Sequence, residues 1–144
     1  VAVKYNTNMN PPTLIVLRGL PGSGKTTVAN LLSCIPGAVA VSADSYPGRY
    51  DIDVTNGIVY NHTEGTKALD WCEQQTAYFL RRRVPCVIVD NTFISRESVE
   101  KYETLALIHN YRFMVLKVEG KFKSVHNVPD DFIQQCKEKY EPWE

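Results

Sequence analysis

The stretch Gly19-Leu20-Pro21-Gly22-Ser23-Gly24-Lys25-Thr26 fits the pattern G-x-x-x-x-G-K-[ST], whose residue types suit the capture of a polyphosphate. Glycines at 19, 22 and 24 let the backbone turn with its N–H groups pointing into one concavity. A helix that starts just after them adds the positive end of its dipole there. An anion is the natural occupant. The Lys25 ammonium can reach between the β- and γ-phosphates of a nucleotide, and the Thr26 hydroxyl is placed to ligate magnesium. Gly22, Ser23, Gly24, Lys25, Thr26 and Thr27 are thus the expected binding residues for ATP or another NTP, with Mg²⁺ on Thr26.

Two carboxylates extend the chemistry. Phosphoryl transfer needs positioned positive charge, a metal, and a group that takes the proton of the incoming hydroxyl. Asp44 is the candidate general base, because a carboxylate just past a strand end can stand across a crevice from the γ-phosphate. Its competing role is to cap the turn Ser42-Ala43-Asp44-Ser45. Asp90 either holds the metal through a water, as Walker-B carboxylates do, or anchors the turn at Asn91-Thr92.

These groups need elements that bring them to one edge. Apolar runs predict strands at Leu14 to Arg18, Ala38 to Ser42, Cys86 to Asp90 and Phe113 to Val118. Between them, helical patterns run from Lys25 to Ser33, from about Thr63 to Arg83, and from a Ser95 N-cap onward. A last helix starts at Pro129. In the second helix the expected buried face is Ala68, Trp71, Cys72, Gln75, Tyr78 and Phe79. In the third it is Val99, Tyr102 and Ala106, with His109 as a cap or packing residue. Residues 51 to 60 have no clear period, and Asn56-Gly57 marks a turn in them. Alternating strands and helices imply right-handed crossovers and a parallel sheet, whose ligands bind beyond the carboxyl ends of the strands. The glycine loop, Asp44 and Asp90 each follow such an end.

Length and charge set outer bounds. The 144 residues suit one domain, read as an extended lead-in over 1–12 and a single domain over 13–144, itself complete or a piece of a longer protein. Sixteen Lys and Arg balance sixteen Asp and Glu, which argues against a broad basic surface for gripping long duplexes. A pocket for one strand end needs only a few cations. Arg81-Arg82-Arg83 reads first as a solvated helix end, where cations favour the dipole. Cys34, Cys72, Cys86 and Cys136 form no C-x-x-C pair and read as reduced core thiols of a cytoplasmic or nuclear protein. No apolar run approaches a membrane span, and no membrane contact is expected.

Val41-Ser42-Ala43-Asp44, Ala68-Leu69-Asp70-Trp71-Cys72, Val87-Ile88-Val89-Asp90-Asn91-Thr92, Tyr102 and His126-Asn127-Val128-Pro129 resemble the successive motifs of the polynucleotide 5′-hydroxyl kinase family. That family includes bacteriophage polynucleotide kinases and kinase domains attached to RNA ligase and repair proteins. The resemblance implies an α/β fold of the P-loop nucleoside triphosphate hydrolase type, in three layers around a parallel sheet of four to five strands. It also implies transfer of the ATP γ-phosphate to the 5′-hydroxyl of RNA or DNA, with a ligase or phosphatase module lying outside this chain. Asp44 matches the family's general base, Lys25 and Thr26 its phosphate and metal residues, and Asp90 an aspartate ending its third strand. Arg49 stands near an arginine that contacts the acceptor's phosphate, by neighbourhood only.

Two departures stand out. Leu69 takes the place of a frequent histidine, and the connection Glu119 to Asn127 is shorter than the family's arginine-bearing lid. Lys121, Lys123, Arg81–Arg83 or a partner are the candidates to replace that arginine. Two other functions share these features: a P-loop kinase for a nucleoside or metabolite, and a nucleotide-binding module without catalysis.

Overall fold

The computed structural model describes residues 11–53, 55, 57–61, 64–121 and 128–143. Four parallel strands form the central sheet. They are β1 (Thr13–Arg18), β2 (Ala38–Val41), β5 (Cys86–Asp90) and β6 (Arg112–Lys117), in the spatial order β2-β5-β1-β6. Helix α1 (Lys25–Leu32) lies on one face, against Ile15, Leu17, Cys86 and Ile88. Helices α2 (Gly65–Arg81) and α3 (Arg96–Ile108) cover the other face, against Leu14, Val16, Val87 and Val89. The alternation of β1 and β5 residues between two apolar clusters explains why both strands read as continuous apolar runs: each is buried on both faces. This is the expected three-layer α/β fold, with four strands in the sheet.

The crossover β1-α1-β2 skips one position, and β5 fills the gap. Register pairs Leu17 with Asp90 and Val41 with Val89, so the ends of three strands lie side by side. The site is built on that edge.

Several local readings are refined. In α2 the buried positions are Ala68, Cys72, Thr76 and Leu80, a stripe of four-residue spacing, while Tyr78 is exposed. Thr76 tolerates full burial because its hydroxyl donates to the Cys72 carbonyl at 2.8 Å. The residues 51–60, read as aperiodic, belong to a separate antiparallel pair, β3 (Tyr50–Asp53) with β4 (Gly57–Tyr60). Four-residue strands are too short to display a period. In α3, Val99, Tyr102 and Ala106 are buried, and the Ser95 Oγ accepts the Ser98 N–H at 3.1 Å. Helix α4 is Asp130–Lys139, with Pro129 as its N-cap and Cys136 as its buried residue. All four cysteines are free; Cys34, expected in the core, is exposed just past the end of α1. The lead-in reading for 1–10 lies outside the described residues.

Within the triplet Arg81–Arg83, the second and third arginines have structural partners. The Arg82 guanidinium sits 4.2 Å from the Tyr78 ring centroid, and Arg83 lies 5.1 Å over Tyr111 and donates to the His109 carbonyl. Both lie where β5 and β6 begin. That is the opposite end of the sheet from the glycine loop, so these cations do not replace a lid arginine there.

Candidate functional site

The loop between β1 and α1 is held open by its glycines. Gly22 and Gly24 have φ of 80° and 99°, a region side chains other than glycine seldom adopt. Gly19 is required by contact: a Cβ there would lie 2.4 Å from the Val118 carbonyl oxygen and 2.7 Å from the Ser23 Oγ. Helix α1 starts at Lys25 with Gly24 as N-cap, no capping side chain and no acid in its first turn. Its first N–H groups are therefore left for a ligand. Ser23 is 3% exposed and its Oγ has no hydrogen-bond partner, which marks a polar ligand's place in the loop. These features fit a polyphosphate.

Lys25 folds back over the loop, donating to the carbonyls of Gly19 at 2.8 Å and Leu20 at 3.0 Å. Burial lowers its pKa; the charges of Asp90, Asp44 and Cys136 act in the opposite direction. Both predicted carboxylates therefore lie within electrostatic range of the loop's lysine, although they are far apart in the chain. Helix α4 also reaches this point, with Cys136 within electrostatic range of Lys25. Burial pushes the Cys136 thiol upward, opposed by Lys139 and Lys25.

Asp90 ends β5 on the α1 face, where its Oδ2 accepts the Thr26 hydroxyl at 3.4 Å. A hydroxyl and a carboxylate so placed offer two oxygen ligands of the kind magnesium uses. Asp44 lies in a 3₁₀ turn, Ala43–Ser45, directly after β2. The capping role in that turn belongs to Ser42, whose Oγ accepts the Asp44 N–H at 3.2 Å. Arg49 closes a second turn, Pro47–Arg49, just before β3; its side chain lies outside the described residues. Thr27 lines a recess of about 460 Å³ with Ser23, Gly24, Val28, Val118 and Gly120. Of the cations in the connection after β6, Lys121 is exposed and Lys123 lies outside the described residues, as do His126 and Asn127.

Two residues matter more than their sequence context revealed. Arg18, 1% exposed at the end of β1, donates to the carbonyls of Phe93 (3.0 and 2.5 Å), Ile94 (3.2 Å) and Glu141 (2.7 Å) and lies 4.3 Å over the Tyr140 ring. It ties the loop after β5 and the C-terminal segment to the base of the glycine loop. The signal for it was a charged residue closing an apolar strand. Asn91 is the other: its Oδ1 accepts the Ala43 N–H at 2.9 Å and its Nδ2 donates to Cys72 Sγ at 3.4 Å. A turn reading of Asn91 carries no hint of a partner so far away.

Fold and site together define a P-loop kinase-like α/β domain: a glycine loop after the first strand, a lysine and threonine opening α1, and an aspartate at the end of the adjacent strand. The chain matches the family AAA_33, an AAA domain, over residues 14–121 and belongs to that family. It is similar to the 2′,3′-cyclic-nucleotide 3′-phosphodiesterase of Pongo abelii, 37% identical over 111 residues that cover 76% of this chain and 24% of that protein. Human NEDD4-binding protein 2 is 27% identical over 152 aligned residues, covering 96% of this chain and 8% of that protein. The chain thus spans a quarter or less of these curated relatives. A solved structure of the Pnkp1/Rnl/Hen1 complex superposes with a TM-score of 0.59 at 20% identity, covering 91% of this chain and 40% of that one. That likeness shows the fold.

Proposed function

We propose that this domain is an ATP-dependent polynucleotide 5′-hydroxyl kinase. The observation that carries the reading is that Asp44, in the turn after β2, and Asp90, ending β5 and hydrogen-bonded to Thr26 at 3.4 Å, both lie within electrostatic range of Lys25. One carboxylate is committed to the metal side, which leaves the other to serve the acceptor.

In the proposed reaction the loop N–H groups and Lys25 bind the β- and γ-phosphates, the nucleoside extending toward the recess beside Thr27 and Val118. Thr26 and Asp90 would hold Mg²⁺, which neutralises charge on the transferring phosphoryl group. The 5′-oxygen attacks the γ-phosphorus, and the bond from that phosphorus to the bridging oxygen of ADP breaks. The hydroxyl proton passes to Asp44. Arg49 is assigned to the acceptor's phosphate on the resemblance alone. The chain carries no repeated His-x-Thr pattern and no ligase lysine motif, so an associated phosphodiesterase or ligase activity would have to lie outside this chain.

The test is transfer of labelled γ-phosphate to matched 5′-hydroxyl RNA and DNA oligonucleotides, with each of the four NTPs and with free nucleosides as competing acceptors. Labelled oligonucleotide supports the reading. Labelled nucleoside alone replaces it with a small-molecule kinase, and ATP binding without any transfer replaces it with a binding module.

A further inference from the structure

Asp90 and Asn91 are neighbours on opposite faces of the sheet. Successive residues of a strand alternate sides, and β5 follows the rule to its end: Ile88 packs in the α1 cluster and Val89 in the α2–α3 cluster. Asp90 accordingly meets Thr26 at the start of α1. Asn91 turns to the other side, under the turn that carries Asp44.

That turn has two backbone bonds of its own, the Ser45 N–H to the Ser42 carbonyl at 3.1 Å and the Tyr46 N–H to the Ala43 carbonyl at 3.1 Å, and Ala43 packs in the core. Its two leading amides are taken by side chains, the Ala43 N–H by Asn91 Oδ1 and the Asp44 N–H by Ser42 Oγ. Ala43 is 7% exposed, so its N–H has little access to water should Asn91 be lost. Asn91 is itself oriented by Cys72 Sγ, which is buried in α2. An amide side chain held at both ends has one orientation, with its oxygen toward Ala43.

We propose that Asn91 is a positioning residue for the reaction, holding the turn Ala43–Ser45 so that the Asp44 carboxylate faces the phosphate loop. One dipeptide, Asp90-Asn91, then sets both halves of the site: its first residue fixes the metal side and its second fixes the base side. This rests on the kinase reading above, which gives Asp44 its role.

The test measures amide hydrogen exchange at Ala43 by NMR together with steady-state transfer, in wild type, Asn91→Ala, Asn91→Asp, Asp44→Asn and the Asp44→Asn/Asn91→Ala double variant. Asn91→Asp retains an oxygen for the Ala43 amide and guards against misfolding of the alanine variant. Ala43 exchange should accelerate in Asn91→Ala and recover in Asn91→Asp. In Asn91→Ala, kcat should fall on the order of 10²-fold, as a misplacement of about 1 Å can cause, with KM for ATP unchanged. In the Asp44→Asn background the same substitution should remove nothing further. Unchanged Ala43 exchange, a parallel rise in KM for ATP, or a full additional loss in the double variant would each overturn the proposal. A wild type inactive on every acceptor sinks the kinase reading, and the Ala43 exchange then decides the tether by itself, for it if the amide responds and against it if not.

Discussion

The loop after β1 and the turn after β2 sit at the same edge of one sheet, yet they are built by different means. The loop is made mostly by its own residues, with Gly19 also set against the Val118 carbonyl and its N–H donating to the Thr92 carbonyl. Glycine dihedrals, the uncapped start of α1 and Lys25 folded onto the Gly19 and Leu20 carbonyls all lie within Gly19 to Lys25. The turn is local only in part. Ser42 caps it, but its other leading amide is held by Asn91, 48 positions along the chain. Backbone N–H groups can cradle a phosphate wherever the chain coils correctly, whereas one carboxylate must be aimed, and aiming it takes an outside support.

That contrast predicts separable defects. Asp44→Asn should lower kcat by about 10²- to 10⁴-fold, the usual worth of a positioned base, while leaving the dissociation constant for ATP unchanged by calorimetry. Labelling retained at the wild-type rate would remove Asp44 from the base role. Lys25→Met should reduce turnover by about 10²- to 10³-fold and weaken ATP binding as well, because it removes a cation that serves both bound nucleotide and transition state. A loss confined to kcat would erase the distinction between the two regions.

Gly19→Ala should act on the loop's architecture. The added methyl meets a backbone carbonyl oxygen at 2.4 Å, so the loop or the chain at Val118 must move. A cost of about 1–3 kcal/mol in urea unfolding is expected, with ATP affinity reduced. An unchanged unfolding midpoint would show that the close approach to Val118 is not maintained.

The smallest expected effect is on pH dependence. Lys25 has a pKa below the ordinary lysine value, so it loses its charge at lower pH than an exposed lysine does. Affinity for magnesium-free ATP should therefore fall on the alkaline side before pH 10.5 is reached. Asp90→Asn removes a neighbouring negative charge that raises that pKa, and should move the fall to lower pH still. Calorimetric titration across the alkaline range reads both limbs, and coincident limbs would exclude electrostatic coupling of Asp90 to Lys25.

The same contrast governs how much could be read without coordinates. Strands buried on both faces announced themselves as Leu14-Ile15-Val16-Leu17 and Val87-Ile88-Val89, and the stripe Val99, Tyr102, Ala106 was legible in α3. In α2 the apolar pattern drew in Tyr78 and passed over Thr76, because a hydroxyl satisfied by its own helix is buried as readily as a hydrocarbon. The pair β3–β4 was too short to show its period. Arg18 looked like an ordinary strand end, since its acceptors are carbonyls of residues 75 to 123 positions away.

Sequence by itself determined the phosphate loop, because dihedral freedom, helix start and lysine reach are properties of consecutive residues. It also determined that Asp44 and Asp90 would follow strand ends. Tertiary structure decided which side of the sheet each neighbour serves: strand order placed β5 between β1 and β2, and side-chain alternation at its end sent Asp90 to Thr26 and Asn91 to Ala43. Contacts between distant residues depend on which strands become neighbours, and that is fixed only when the whole sheet assembles.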